Sequence, residues 1–280
     1  MIRKNHIKTA IALLLIIGTI FTLCSCGLIN NEKETTTSQV LTQQTVTEAA
    51  VETETIAENG KTIIFPAGLK ESQNKYSVIS WANGTSAPTA TYIPLLEELA
   101  KGGYIVISDD STMTANGKSQ IDSIDYIIKQ NGNSSSVFYN KVDTKAIGVC
   151  GHSQGGRSCI NAAQADKRIG CVVSIAGSST ADEARGLNTP SLFLTGTNDM
   201  IVPSDQWCQP SYDAVAGRAA YASLDEGIHT SCISAPKKFA SYSIAWFDAY
   251  LRNDAEAKAV FKDGGKLAND GYWKDFQNKN

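Results

Sequence analysis

From Asn59 onward the chain repeats one pattern: a short apolar run rich in β-formers, then a longer stretch with helical spacing or turn residues. The runs are TIIF at 62–65, YSVISW at 76–81, YIVIS at 104–108, KAIGVC at 145–150, GCVVSI at 170–175, SLFLT at 191–195 and AAYASL at 219–224. Several are apolar throughout rather than alternating, as strands covered on both faces are. Helices are predicted at 90–101, 119–130, 154–165, 204–215 and 236–251. In the second of these, Ile121, Ile124, Tyr126, Ile127 and Ile128 recur at near-helical spacing. This alternation predicts an α/β fold, a mostly parallel central sheet with helices on both faces. No repeat interrupts it, so residues 59–280 are expected to form one domain.

The pattern fails in two segments before Asn59. Arg3, Lys4 and Lys8 precede an apolar run of about 14 residues, 10–23, short of the ~20 that span a bilayer. Small residues follow, which is the layout of a secretory signal over residues 1–26. Leu23-Cys24-Ser25-Cys26-Gly27 resembles a bacterial lipoprotein box, which implies Cys26 as a lipidated N-terminus. An uncleaved N-terminal anchor is the alternative, and both place the remainder outside the cytoplasm. Residues 27–58 hold eight Thr and six Glu, one Gly, no aromatic residue and no apolar period. Such a stretch buries too little to offset its ordering entropy. It reads as a disordered tether of roughly 30 Å reach, or as a stalk that pairs with a partner.

Composition changes the picture only through where the charge sits. The chain has 25 Lys+Arg and 28 Asp+Glu, net −3. Residues 1–26 carry +3 and residues 27–58 carry −5, which leaves the remaining 222 residues at −1. No basic field is available for a nucleic-acid backbone, so nucleic acid is excluded as an electrostatic partner.

Candidate chemistry centres on GHSQGG at 151–156, directly after one predicted strand and directly before a helix. This is G-x-S-x-G in the strand–turn–helix setting that gives the motif meaning, with Ser153 as nucleophile. A serine hydroxyl needs a neighbouring base. Beyond the signal the chain has two histidines, His152 and His229. His152 shares the nucleophile's tight turn and is expected to point away from the hydroxyl, so its replacement is expected to spare much of the activity. His229, in EGIHTS after the last predicted strand, is the candidate base. Asp199, in GTNDMIVP, is the candidate acid that orients it, Asp225 is its rival, and Asp205 is assigned to a helix start. The oxyanion donors are expected to be the Gln154 N–H and, in WANGTSAP, the Thr85 N–H, with Ala82 or Asn83 as alternatives. Cys150 and Cys171 read as buried thiols, and Cys208 with Cys232 as a candidate disulfide bracing the Asp199 and His229 loops. No metal cluster or phosphate-cradling loop is evident, and no cofactor is expected.

With these residues in view, the stretch from about Tyr76 to Tyr250 resembles the cutinase-like polyester hydrolases, the group that includes poly(ethylene terephthalate) hydrolases, within the α/β-hydrolase superfamily. The motifs that carry the likeness are NGT after the first core strand, LLEELAKGGYIVISDD, YNKVDTKAIGVCGHSQGG, TPSLFLTGTNDMIVP, and IHTSC followed by the helix around AWFDAYL. The resemblance implies Ser153, Asp199 and His229 as the triad, and Thr85 and Gln154 at the oxyanion positions. The sequence departs from the family where an aromatic residue commonly stands at Thr85, a Met at Gln154, and a Trp in the loop that here reads AGSSTADEARGLN. A polar, aromatic-poor rim is therefore expected, which argues against aromatic polyesters and leaves ester hydrolysis intact. The 13 residues from Gly177 to Thr189 are too few for a helical lid. An uncovered site favours esters that are large, soluble or attached to a polymer, such as acylated polysaccharide. Trp81, Tyr92 and Trp207 either line the cleft or pack in the core.

The expectation is thus a monomeric serine carboxylic-ester hydrolase that works through an acyl-enzyme and is held at the membrane by an N-terminal lipid anchor. Acyl transfer or amide and peptide hydrolysis by the same triad is the alternative within enzymes. A non-catalytic surface-binding protein on the same scaffold is the alternative outside them.

Overall fold

A computed structural model of the chain describes residues 51–279. The signal at 1–26, the lipidation site Cys26 and the tether as far as residue 50 lie outside the described residues.

The chain opens with strands β1 (Thr53–Glu58), β2 (Lys61–Pro66) and β3 (Tyr76–Ala82). A 3-10 turn at Thr89–Tyr92 leads into α1 (Ile93–Lys101), then β4 (Ile105–Asp109), α2 (Lys118–Asn131) and β5 (Val142–His152). Next come α3 (Gln154–Ala165), β6 (Ile169–Ile175), α4 (Ala181–Ala184), β7 (Ser191–Gly196), α5 (Cys208–Ala214) and β8 (Ala219–Leu224). The last elements are α6 (Ser231–Ser234), α7 (Pro236–Leu251), α8 (Ala255–Ala259), α9 (Lys266–Asn269) and β9 (Trp273–Lys279).

Among the described residues the strands form one sheet in the order β1-β2-β4-β3-β5-β6-β7-β8-β9. Pairing is parallel from β4 through β8 and antiparallel at β1–β2, β2–β4 and β8–β9. The expected mostly parallel sheet is present. Its strands read as unbroken apolar runs because successive side chains enter two different cores. Ile79, Cys150, Leu192 and Leu194 face α1 and α7. Val78, Val149 and Phe193 face α2, α3 and α5.

Three expectations are corrected. Residues 53–58, assigned to the tether, form edge strand β1, with Thr53 opposite Pro66 and Glu58 opposite Lys61. The helix expected at 204–215 is confined to Cys208–Ala214, because the segment before it is occupied by turns such as Gln206 N–H to the Pro203 carbonyl, 3.1 Å. Strand β9 was not expected at all. No lid stands between β6 and β7: the connection holds only the single-turn α4, whose capping box pairs Thr180 with Glu183.

Candidate active site

The turn between β5 and α3 sets Ser153 at φ 60° and ψ −123°, a conformation that costs an L-residue roughly 1–3 kcal/mol. The glycines around it permit such a turn. A Cβ on Gly155 would lie 2.1 Å from the Ala82 carbonyl oxygen, so α3 can start against the end of β3 only with glycine there. The Ser153 N–H is held by the Ile175 carbonyl at 2.9 Å, and its own carbonyl accepts from Gly156 N–H at 2.9 Å. The hydroxyl is left at the C-terminal edge of the sheet, where loops from neighbouring strands converge.

Two of those loops are tied to each other before they reach the serine. Asn198 N–H donates to the Gly227 carbonyl at 2.8 Å, and Glu226 N–H to Thr197 Oγ1 at 2.8 Å. This stitches the turn after β7 to the turn after β8. Asp199 and His229 are thereby brought together: His229 Nδ1 lies 2.8 Å from Asp199 Oδ2, and His229 Nε2 lies 3.0 Å from Ser153 Oγ. A carboxylate only accepts, so Nδ1 carries the ring proton and Nε2 presents a lone pair to the hydroxyl. The other carboxylate oxygen of Asp199 accepts from the N–H groups of Ile201 (2.9 Å) and Val202 (2.8 Å). Burial alone would raise the Asp199 carboxyl, but the bonds from His229, Val202 and Ile201 outweigh it and hold the group below its usual value. Asp225 instead faces Lys274 at 3.4 Å, half-exposed, and Asp205 is exposed.

The loop after β3 reaches the same place. A Cβ on Gly84 would sit 3.4 Å from Ser153 Cβ, which puts the neighbouring Thr85 at the mouth of the site. Thr85 is exposed, whereas Ala82, inside the β3 ladder, and Asn83 are buried. Asn83 anchors this loop. Its amide donates to the carbonyls of Asp109 (2.9 Å) and Ser111 (3.1 Å) and accepts from Trp81 Nε1 (3.0 Å). Gln154 anchors the next loop: its side chain donates to the Thr112 carbonyl at 2.7 Å and accepts from Thr114 N–H at 3.1 Å. Sequence reasoning used Asn83 and Gln154 only as backbone donors. Their side-chain work depends on partners 28 and 42 residues away.

A model of the family described as PET hydrolase-like matches residues 33–268. The chain belongs to the PET hydrolase-like family. The curated relatives are distant. One, the bis(hydroxyethyl) terephthalate hydrolase of Streptomyces coelicolor, is 24% identical over 70% of this chain and 63% of its own length. Cutinase est1 of Thermobifida alba is 23% identical over 70% of this chain and 66% of its own. Cutinase 2 of Thermobifida cellulosilytica is 24% identical over 70% of this chain and 74% of its own. The chain thus spans slightly less than two thirds of the first two relatives. Its mostly parallel sheet with helices on both faces is the α/β-hydrolase fold.

Around the site of this PET hydrolase-like chain, Thr85 keeps the rim polar on one side, and exposed aliphatic side chains that were not expected stand on the other. Met113, Met200, Ile201 and Ile228 are exposed, Met200 to 87%. A cleft of about 200 Å³ runs beside His229, lined by Asn198, Met200, Ile201, Ile228 and Thr230. Met200, Ile201 and Ile228 sit in turns pinned by the Asp199 and Gly227 bonds, and Met113 sits in the loop held by the Gln154 side chain. No aromatic side chain lines this cleft. Trp81 and Tyr92 are packed in the core at 1% exposure, and Trp207 is half-buried at the start of α5.

The expected Cys208–Cys232 bridge is not formed. Both are buried free thiols, and they belong to opposite faces of the sheet: Cys208, the first residue of α5, lies in the cluster that holds Phe193 and Tyr212, and Cys232 in the one that holds α1 and α7 residues. Cys208 Sγ contacts the Gly177 carbonyl at 3.4 Å instead. Burial pushes the Cys159, Cys208 and Cys232 thiols up to about 12.

Proposed function

We propose that the chain hydrolyses carboxylic esters, with Ser153 as nucleophile, His229 as general base and acid, and Asp199 as the carboxylate that orients His229. Ser153 Oγ attacks the ester carbonyl carbon as its proton passes to His229 Nε2. The tetrahedral oxyanion is held by the N–H groups of Gln154 and Thr85. Collapse expels the alcohol, which takes the proton back from His229, and leaves an acyl-Ser153. Water, activated by the same imidazole, releases the acid.

The observation that carries this reading is the unbroken run from Asp199 Oδ2 through both nitrogens of His229 to Ser153 Oγ, with bonds of 2.8 and 3.0 Å. The printed names of the relatives, cutinases and a bis(hydroxyethyl) terephthalate hydrolase, agree with ester chemistry. The aliphatic cleft beside His229 favours esters with an aliphatic acyl part, and the short β6–β7 connection favours ones that are large or polymer-attached. No cofactor enters the scheme, and a monomer suffices for it.

Residues 1–26 are proposed to export the chain and to leave Cys26 as a lipid-bearing N-terminus, with the Thr- and Glu-rich segment linking that anchor to the domain. Among the described residues no helix is long and apolar enough to cross a membrane.

Hydrolysis of short-chain p-nitrophenyl esters tests the chemistry. Wild type is expected to turn over, and Ser153→Ala to lose about 10⁴-fold or more in kcat. Turnover retained in Ser153→Ala overturns the nucleophile. A wild type inert to every ester revives a binding role on this scaffold.

A further inference from the structure

One buried titratable side chain at the site has no part in the steps above. His152, 3% exposed, precedes the nucleophile, and both of its ring nitrogens are engaged. Nε2 lies 2.8 Å from the backbone carbonyl of His229, and Nδ1 lies 3.0 Å from Tyr92 Oη. A carbonyl only accepts, so Nε2 carries the proton and Nδ1 is a bare lone pair. Tyr92 must then donate its hydroxyl hydrogen to Nδ1. That frees the Tyr92 oxygen to accept, and it does so from Gly84 N–H at 3.2 Å. One tautomer satisfies every group in the chain Gly84 N–H to Tyr92 Oη–H to His152 Nδ1, and His152 Nε2–H to the His229 carbonyl.

The two ends of this chain are the two loops that catalysis needs in register. Gly84 neighbours Thr85, the proposed oxyanion donor, and His229 is the proposed base. The middle of the chain is bonded covalently to Ser153. We propose that His152 and Tyr92 are a positioning pair that locks the oxyanion loop and the base loop onto the nucleophile turn, and so hold Thr85 N–H and His229 Nε2 at the distances the transition state requires. The proposal rests on the Ser153–His229 reading and deepens it.

Two further observations favour it. Space around the pair is closed: a Cβ on Gly84 would meet Tyr92 Oη at 2.8 Å and His152 Nδ1 at 3.1 Å, so any shift of the loop is felt by both. The pair also suits the charge that catalysis creates. The His152 and His229 rings lie 4.6 Å apart, and His229 becomes an imidazolium after proton transfer. Burial, reinforced by that neighbouring charge, lowers His152 to about 4 and keeps it neutral through the cycle. The proposal departs from the expectation that His152 is dispensable: the ring does point away from Ser153, to the His229 carbonyl and Tyr92, and it acts on the site through these neighbours.

The test is steady-state ester hydrolysis by the full chain as wild type, His152→Ala, His152→Gln, Tyr92→Phe and the double variant His152→Ala/Tyr92→Phe. The inhibition constant of an alkylboronic acid, which binds serine as a tetrahedral anion, is measured in parallel. His152→Ala and Tyr92→Phe are each expected to lower kcat about 10- to 100-fold, the range that misplacing reacting groups by an ångström produces. KM should stay within about twofold, and boronate affinity should fall in step with kcat. The double variant should be no worse than His152→Ala, because both act through one chain. His152→Gln, whose amide nitrogen can still reach the His229 carbonyl, should recover part of the loss. Wild-type kcat in Tyr92→Phe and His152→Gln, losses confined to KM, or losses that multiply in the double variant would each overturn the pair. Should His152→Ala not fold, Tyr92→Phe and His152→Gln decide alone. A wild type without esterase activity overturns the triad reading itself, whereas an active wild type with equally active variants overturns only the pair.

Discussion

Ser153, His152 and His229 crowd three demands into one small volume: a strained backbone, a neutral buried imidazole and, in the proposed mechanism, an imidazole that accepts a proton. The middle demand has a measurable cost in acid. His152 titrates near 4 in the folded chain against 6.5 ordinarily. A histidine depressed this way contributes stability that is fully present above about 6.5 and lost as pH falls through 4, roughly 3 kcal/mol. Asp199, held below its ordinary 3.8, adds loss of the same sign at lower pH. Melting temperature should therefore fall from pH 6.5 to 4 in wild type and fall less in His152→Gln. Parallel curves would assign the acid lability to other groups. Legibility at this scale follows the same division. Ser153 stood out because its motif sits between strand and helix, and His229 because histidine is scarce in the domain. Tyr92, Asn83 and the Gln154 amide work through partners 60, 28 and 42 residues away, a separation that leaves no periodic trace.

At the scale of elements, the strands with two covered faces were legible and the two edge strands were not. β1 reads TETIAE, in which only Thr53 and Ile56 are partly covered, so its apolar signal vanishes in the Thr- and Glu-rich run before it. Its exposed Glu side chains also guard an open edge against further pairing. β9 hides for another reason. Its register against β8 shifts between Tyr221 and Ser223, and Asp275 stands at φ 55°. This bulge sets Trp273 and Phe276 three apart rather than two and erases the alternation. The strand is nonetheless structural, since Trp273 packs edge-on against Phe239 (5.3 Å) and Tyr242 (5.6 Å) at 5% exposure. Trp273→Ala should cost about 3–5 kcal/mol, read as a lowered urea midpoint with little change in kcat below the transition. A midpoint within error of wild type would mean β9 is dispensable. A comparable exposed change, Tyr272→Ala, serves as the reference.

For the whole molecule, address and enzyme are expected to be separable. Cys26→Ala should move the protein from the membrane fraction to the soluble fraction and abolish incorporation of labelled palmitate, with ester turnover unchanged. Retention at the membrane would favour an uncleaved anchor. The boundary, however, is not at Asn59, because a chain cut there loses β1 and uncovers the outer edge of β2. The cysteines carry a consequence for how long such a molecule lasts. All five within the described residues are reduced and buried, with thiols that burial keeps protonated and inert. Native protein cleaved before Cys26 and lipidated there should therefore resist a thiol-reactive dye that titrates the remaining five groups once urea is added. If residues 1–26 export the chain as proposed, to surroundings where thiols are driven to pair, each excursion to the unfolded state exposes partners that include cysteines from opposite faces of the native sheet. A wrong bridge then bars the way back. The working lifetime would be set by the rate of unfolding rather than by its equilibrium, and a reductant should prolong it during repeated heating.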